Sequence, residues 1–259
     1  MKSKRAMTLD RVLSRFGLAS RSIAREAIMS GRVKINGRVV RDPDVWTEPR
    51  SDIIHLDGKR LRQVRKVYIL FYKPKGVITS HGDPEGRKTV YDCLGPKVPW
   101  VTPVGRLDKD TSGLLLLTND TDFANYVTSP ESQVPKTYLV KANCLVSDEL
   151  LARLSRGVEL NRGDWASPKA VRRVEDRGKY SWLEIVLTEG KNREVRRLLE
   201  AVGLKTLKLV RTHIGPCTLE GLQVGHWREL LRSELARFYV TAGKKEIQNL
   251  RAAKTQNSR

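Results

Sequence analysis

The chain has 259 residues, 39% of them hydrophobic. Length and composition allow one or two folded domains and exclude wholesale disorder, and no apolar run nears the roughly 20 residues that span a bilayer. Lysine and arginine number 49 against 29 acidic residues, a net charge of +20, which favours a polyanionic partner over a small neutral ligand.

That charge is uneven. Residues 1–66 carry 17 Lys and Arg against 7 Asp and Glu, and the tail 241–259 carries 5 against 1. A compact basic module joined to a more neutral body is expected. In the module, Thr8 is placed to cap a helix whose stripe is Leu9, Val12, Leu13 and Phe16, closed by Gly17. A second short helix follows Ser20, with Ile23, Ala27 and Ile28 as its stripe and Gly31 at its end. Val33 to Val40 alternates around Asn36-Gly37, the strongest short-range hairpin signal. Ile53, Leu56 and Leu61 indicate a further strand near residue 60.

Val67–Tyr72 opens the body as a buried strand, broken at Lys73-Pro74-Lys75-Gly76, and Val77–Ser80 resumes the extended pattern. Residues 81–88 are loop, and Val101–Val104 is a short extended piece. Leu114–Thr118 is a fully apolar strand, and Asp122 caps a helix through Val127. Lys136–Val140 is another strand, followed by a helix capped by Ser147 and ended by Gly157. Trp182–Leu187 is a strand. Asn192 then caps a helix with the stripe Val195, Leu198, Leu199 and Val202, and Thr206–Val210 completes the strands. Strands do not alternate regularly with helices, which predicts an α+β body on a mixed, largely antiparallel sheet with flanking helices. The expected division is 1–65, 66–240 and a basic polar tail at 241–259, the tail a frayed helix or disordered.

Cys93, Cys144 and Cys217 form no C-x-x-C pair, and the four histidines form no helical i, i+4 pair. Three buried, reduced thiols and no metal are expected. The basic N-terminus lacks a secretory apolar segment, so retention in the cytoplasm is expected.

The chemistry concentrates in Gly105-Arg106-Leu107-Asp108-Lys109-Asp110-Thr111-Ser112-Gly113. This loop sets carboxylates, an arginine and hydroxyls directly before the apolar strand. A carboxylate there can be held dry and oriented, which suits covalent or general-base chemistry. The plain alternative is an Asp-containing turn, and residue chemistry alone leaves Asp108 and Asp110 as rivals.

Two resemblances sharpen this. The spacing from Leu9-Asp10-Arg11 through Gly17-Leu18-Ala19-Ser20-Arg21 to Gly31-Arg32-Val33-Lys34-Ile35-Asn36-Gly37 resembles the RNA-binding domain first described in ribosomal small-subunit protein S-four. It implies RNA contacts from Arg11, Arg21, Arg25, Arg32 and Lys34. Phosphate contacts of that kind position a protein without reading sequence. In the body, five segments occur in the order of the ribosomal RNA pseudouridine synthases of the small-subunit (Rsu-type) family, which this chain strongly resembles. They are Lys73–Gly76, Gly105–Thr118, Lys136-Thr137-Tyr138, Glu189–Arg197 and Leu209–Pro216. The resemblance implies a pseudouridine synthase fold and the isomerisation of a uridine in ribosomal RNA, the large subunit being favoured. It further implies Asp108 as the catalytic aspartate, Tyr138 stacked on the base, and Arg196 as the active-site basic residue. Leu209 would line the uracil pocket and Arg106 would hold the flipped nucleotide. It also implies a structured RNA partner and no cofactor. A monomer is the default expectation, and basic residues carried on short folded helices, not on one long amphipathic helix, argue against a role at a membrane surface. A non-catalytic RNA-binding or ribosome-assembly protein of the same fold, and a nucleoside hydrolase, are the competing readings.

Overall fold

The computed structural model describes residues 6–16, 21–49, 51–62, 65–95, 98–160 and 163–240. The expected closure at Gly17, the start at Ser20 and the tail 241–259 lie outside the described residues. The chain forms two compact units. One comprises the described residues of Met1–Tyr68, Pro96–Thr102 and Thr118–Asp122, and the other those of Ile69–Gly95, Pro103–Leu117 and Phe123–Arg259.

In the first unit the helices are Leu9–Arg15 and Arg21–Met29. Thr8 stands at the N-cap position, yet its hydroxyl donates to Asp10 Oδ1 (2.5 Å) instead of accepting from the helix. Asp10 accepts the Arg11 N–H at 2.7 Å. The second helix corrects the expected stripe: Ile23 is 47% exposed, and Ala24, Ala27 and Ile28 are buried. Residues 24, 27 and 28 fall on one helical face, whereas 23 lies one step off it, its size notwithstanding. The hairpin Val33–Ile35 and Arg38–Val40 turns through Asn36 (φ 50) and Gly37 (φ 86), the left-handed pair that matches strand twist. Ile54–Leu56 and Lys59–Arg60 complete a four-stranded sheet. Leu9, Val12, Leu13, Phe16, Ala24, Ala27, Ile28, Val33 and Ile54 form one core, each large apolar side chain contributing about 1.5–3 kcal/mol by burial.

The larger sheet runs in the order Ala170–Arg177, Tyr180–Leu187, Lys136–Ala142, Thr206–Ile214, Ser112–Thr118, Tyr68–Lys73, Trp227–Glu229. The registered pairings are antiparallel except one: Val210 and Arg211 pair in parallel with Ser112 and Gly113. Lys136–Ala142 and Tyr180–Leu187 alternate buried and half-buried residues along their whole length, so one face of the sheet carries the core and the other does not. Leu114 to Leu117 are buried on both faces.

Several local expectations change. Val77–Ser80 is no strand and keeps one bridge, Ile78 with Thr89. The helix expected to start at Asp122 runs Thr121–Thr128, and Asp120 Oδ1 accepts the Asp122 N–H. The next helix is Glu194–Glu200, with Arg193 at its N-cap in the left-handed region (φ 49) instead of Asn192. Cys217 is buried, but Cys93 and Cys144 are only half-buried. Edge strand Ala170–Arg177 and helix Arg232–Val240 were not anticipated. The strand is so charged that its alternation carries little hydrophobic signal.

Candidate active site

The loop before strand Ser112–Thr118 is tied down from both sides. Thr79 Oγ1 donates to the Leu107 carbonyl (2.8 Å) and accepts the Leu107 N–H (3.2 Å). The Gly76 N–H donates to the Lys109 carbonyl at 2.8 Å, and the Thr111 N–H to the Asp108 carbonyl at 3.0 Å. Lys73-Pro74-Lys75-Gly76 is therefore the brace of this loop. Lys73 is fully buried, with Nζ donating to the Pro74 and Val77 carbonyls. Burial lowers its pKa to about 8, against the opposing pull of Asp108 and other anions nearby. Gly113 closes the loop with φ +123, and a Cβ there would lie 2.3 Å from the Arg211 carbonyl oxygen. Only glycine admits the parallel partner strand at this distance.

A cleft of about 550 Å3 opens on this loop. Its lining includes Asp108, Tyr138, Leu209 and Arg106, four of the five residues assigned to the site from sequence. Tyr138 and Leu209 are buried, Arg106 is exposed, and the Asp108 side chain is 35% exposed. Arg196 is placed differently. It does not line the cleft, and its Nη2 donates to the Asp110 carbonyl at 3.1 Å. The guanidinium that faces the carboxylate is that of Arg193, Nη1 standing 3.8 Å from Asp108 Oδ2. Arg193 holds a left-handed backbone that costs a non-glycine residue about 1–2 kcal/mol. Such strain concentrates where a side chain's direction matters.

Sequence reasoning also passed over the floor of the cleft. Lys136, Glu194 and Arg211 line it and are all buried. Lys136 Nζ donates to the Val134 carbonyl (3.1 Å), and burial, with Arg211 nearby, lowers its pKa to about 8. Burial, reinforced by the adjacent Glu189, raises the Glu194 carboxyl to about 7. Arg211 Nε donates to the Leu114 carbonyl (2.8 Å), while its Nη2 and Thr111 Oγ1 are buried without a hydrogen-bond partner among the described residues. Their only sequence signal was membership of the motif strings, because nothing in one dimension distinguishes a floor residue from a flank.

The five basic residues of the N-terminal module divide in two. Arg21 and Arg25 reach the buried Asp10 carboxylate at 2.8 and 3.3 Å, Arg25 also reaches Asp44 at 3.0 Å, and Arg32 forks onto Asp57. Burial alone would raise the Asp10 pKa. Hydrogen bonds from Thr8, Arg21 and the Arg11 N–H outweigh it and hold Asp10 at about 2. Arg11 and Lys34 are exposed and free of ion pairs with described residues.

A family model described as RNA pseudouridylate synthase matches residues 67–201, and one described as S4 domain matches residues 7–45. An uncharacterized RNA pseudouridine synthase of Aquifex aeolicus (strain VF5) is 42% identical over 240 residues, covering 92% of this chain and 96% of the relative. Ribosomal large subunit pseudouridine synthase B of Bacillus subtilis (strain 168) is 41% identical, covering 90% and 96%. A crystal structure of a pseudouridylate synthase superposes with a TM-score of 0.65 at 29% identity, covering 90% of this chain and 99% of that one. With the family match spanning more than half its length and these relatives nearly all of it, the chain belongs to the RNA pseudouridylate synthase family.

Proposed function

We propose that this enzyme converts a uridine of ribosomal RNA, in the large subunit, to pseudouridine, with Asp108 as the essential carboxylate. The observation that carries the reading is the meeting of Asp108, Tyr138, Leu209 and Arg106 at one cleft. Its volume falls within the roughly 300–1,000 Å3 of sites that enclose a small ligand. The two B-type relatives at about 40% identity, from Bacillus subtilis and Yersinia pestis, are named for the large subunit and support that choice of RNA.

The target base must leave its stack, at a cost of a few kcal/mol. Phosphate contacts elsewhere offset that cost. Of the five module residues assigned to RNA, Arg11 and Lys34 are the readiest donors for them, since Arg21, Arg25 and Arg32 must first exchange a carboxylate partner. In the cleft, Asp108 attacks C1′ or removes the C2′ proton, and the C1′–N1 bond breaks. The uracil turns and rejoins C1′ through C5; in that step the aspartyl–C1′ bond breaks, or the C2′ proton returns from Asp108, and the C5 proton is then lost to solvent while N1 gains one, so atoms balance. A carboxylate beside a sugar carbon that develops positive charge works as in glycosidases. Tyr138 stacks on the base and Leu209 lines its pocket. Arg211 and Thr111 line the same cleft and fix its shape around the base. Arg193 faces the carboxylate, and Arg196 holds the loop through the Asp110 carbonyl.

Asp108→Asn tests this. The variant is expected to bind RNA as the parent does and to form no pseudouridine. Continued modification would remove Asp108 from the chemistry. Pseudouridine mapping of ribosomal RNA from cells with and without the gene tests the substrate, and a change confined to the small subunit would refute the large-subunit assignment.

A further inference from the structure

The sheet face turned away from the cleft carries a built feature that the isomerase chemistry does not use. Tyr138, Leu187, Leu209 and Arg211 line the cleft, so Lys141, Trp182 and Lys208, at odd offsets along the same strands, point to the opposite face. They form one cross-strand row, Lys141 pairing with Trp182 on one side and Lys208 on the other. Tyr180 lies two residues from Trp182 on the same strand. Lys141 Nζ sits 4.0 Å from the Tyr180 ring centroid, Lys179 Nζ 5.7 Å from the same ring, and Lys208 Nζ 5.8 Å from that of Trp182. None of these three lysines pairs with a described carboxylate. Two carboxylates share the face, and both are taken by arginines: Glu175, opposite Trp182, by Arg177 at 3.2 Å, and Glu184, two residues from Trp182, by Arg172 at 2.6 Å.

Three ammonium groups gathered at two aromatic rings, with the neighbouring carboxylates held by arginines, repel one another and have no carboxylate of their own. A polyanion with flat faces satisfies both requirements at once. Phosphates would draw the lysines off the rings, and bases would take their place on Tyr180 and Trp182. Sheet aromatics two residues apart are about 7 Å apart, which gives neighbouring bases separate stacking platforms. A double helix hides its base faces and fits this surface poorly.

We propose that the sheet face bearing Tyr180, Trp182, Lys141, Lys179 and Lys208 binds a single-stranded RNA segment, separately from the catalytic cleft. Duplex RNA is the rival occupant: an equally long duplex that loses as much affinity with Trp182→Ala as the single strand does would overturn the proposal. The proposal goes beyond the isomerase reading and is measured by binding, so failure of that reading leaves the measurement intact.

The experiment uses the full chain and a fluorescently labelled 12-nucleotide single-stranded RNA of mixed sequence, with anisotropy read across a salt series. Trp182→Ala is expected to weaken binding roughly tenfold, and Trp182→Phe to restore it to within about twofold. Replacing Lys141, Lys179 and Lys208 together by serine should reduce the slope of log K against log salt by about 2, at about 0.7 per phosphate contact. A 4-thiouridine-substituted version of the RNA should cross-link to the peptide containing Tyr180 and Trp182. Unchanged affinity and slope, cross-links confined to other peptides, or an equal loss with Trp182→Phe and Trp182→Ala would each overturn the proposal.

Discussion

Gly113→Ala is the sharpest probe of how the fold holds the catalytic loop. The residue sits at φ +123, and its ideal Cβ would stand 2.3 Å from the Arg211 carbonyl oxygen and 2.4 Å from the Arg211 nitrogen. Both obstacles are backbone, so no side chain can swing away. Overpacking of this kind costs about 1–3 kcal/mol, and a positive φ for alanine adds about 1–2 kcal/mol. The expected destabilisation is therefore about 2–5 kcal/mol, a large share of the roughly 5–15 kcal/mol that holds a folded chain. Relief must come from parting strands Ser112–Thr118 and Thr206–Ile214. That moves Arg211 and Leu209 away from Asp108, and a displacement of about 1 Å in a reacting constellation costs about a hundredfold in rate. Thermal unfolding and pseudouridine formation on one RNA, measured side by side, check this. A variant within about 0.5 kcal/mol of the parent, turning over at the parent rate, would refute the close-approach argument.

Further outcomes follow from other contacts. Thr79→Val removes both hydrogen bonds to Leu107. It should cost about 2 kcal/mol of stability and lower kcat more than it raises KM, and Thr79→Ser should recover both. Arg193→Gly exchanges left-handed strain for glycine's greater unfolded freedom, so stability should change by less than about 1 kcal/mol. Because the pair with Asp108 is long and half exposed, kcat/KM should fall no more than about fivefold; a hundredfold loss would contradict that weak-pair reading. Asp10 titrates at about 2 in the fold against 3.8 unperturbed. The lowered value means that its contribution, about 2 kcal/mol, is present above about pH 4 and lost as pH falls towards 2. Urea unfolding of Asp10→Asn between pH 2 and 7 should show a flatter acid limb than the parent, and an unchanged limb would count against the assigned role of Asp10.

Periodicity and turn chemistry were local enough to read in one dimension. The Asn36-Gly37 hairpin, the Leu9–Phe16 stripe, the Ser147 cap and the Leu114–Leu117 strand each depend on neighbours a few residues apart, and each appears where the residues place it. The motif strings likewise marked the Asp108 loop, and the family match agrees with the activity they implied. What the chain could not disclose was whatever depends on residues that meet only in space. Ile23 and Ala24 are adjacent in sequence, and packing alone decided that the smaller one is buried. Arg193 and Arg196 lie in one motif, but the left-handed turn at 193 sends one guanidinium to the Asp108 carboxylate and leaves the other on the Asp110 carbonyl. Lys136, Glu194 and Arg211 come from three distant segments, and only the closing of the sheet places them beneath one cleft and out of water, where burial moves the Lys136 and Glu194 pKa values towards neutrality.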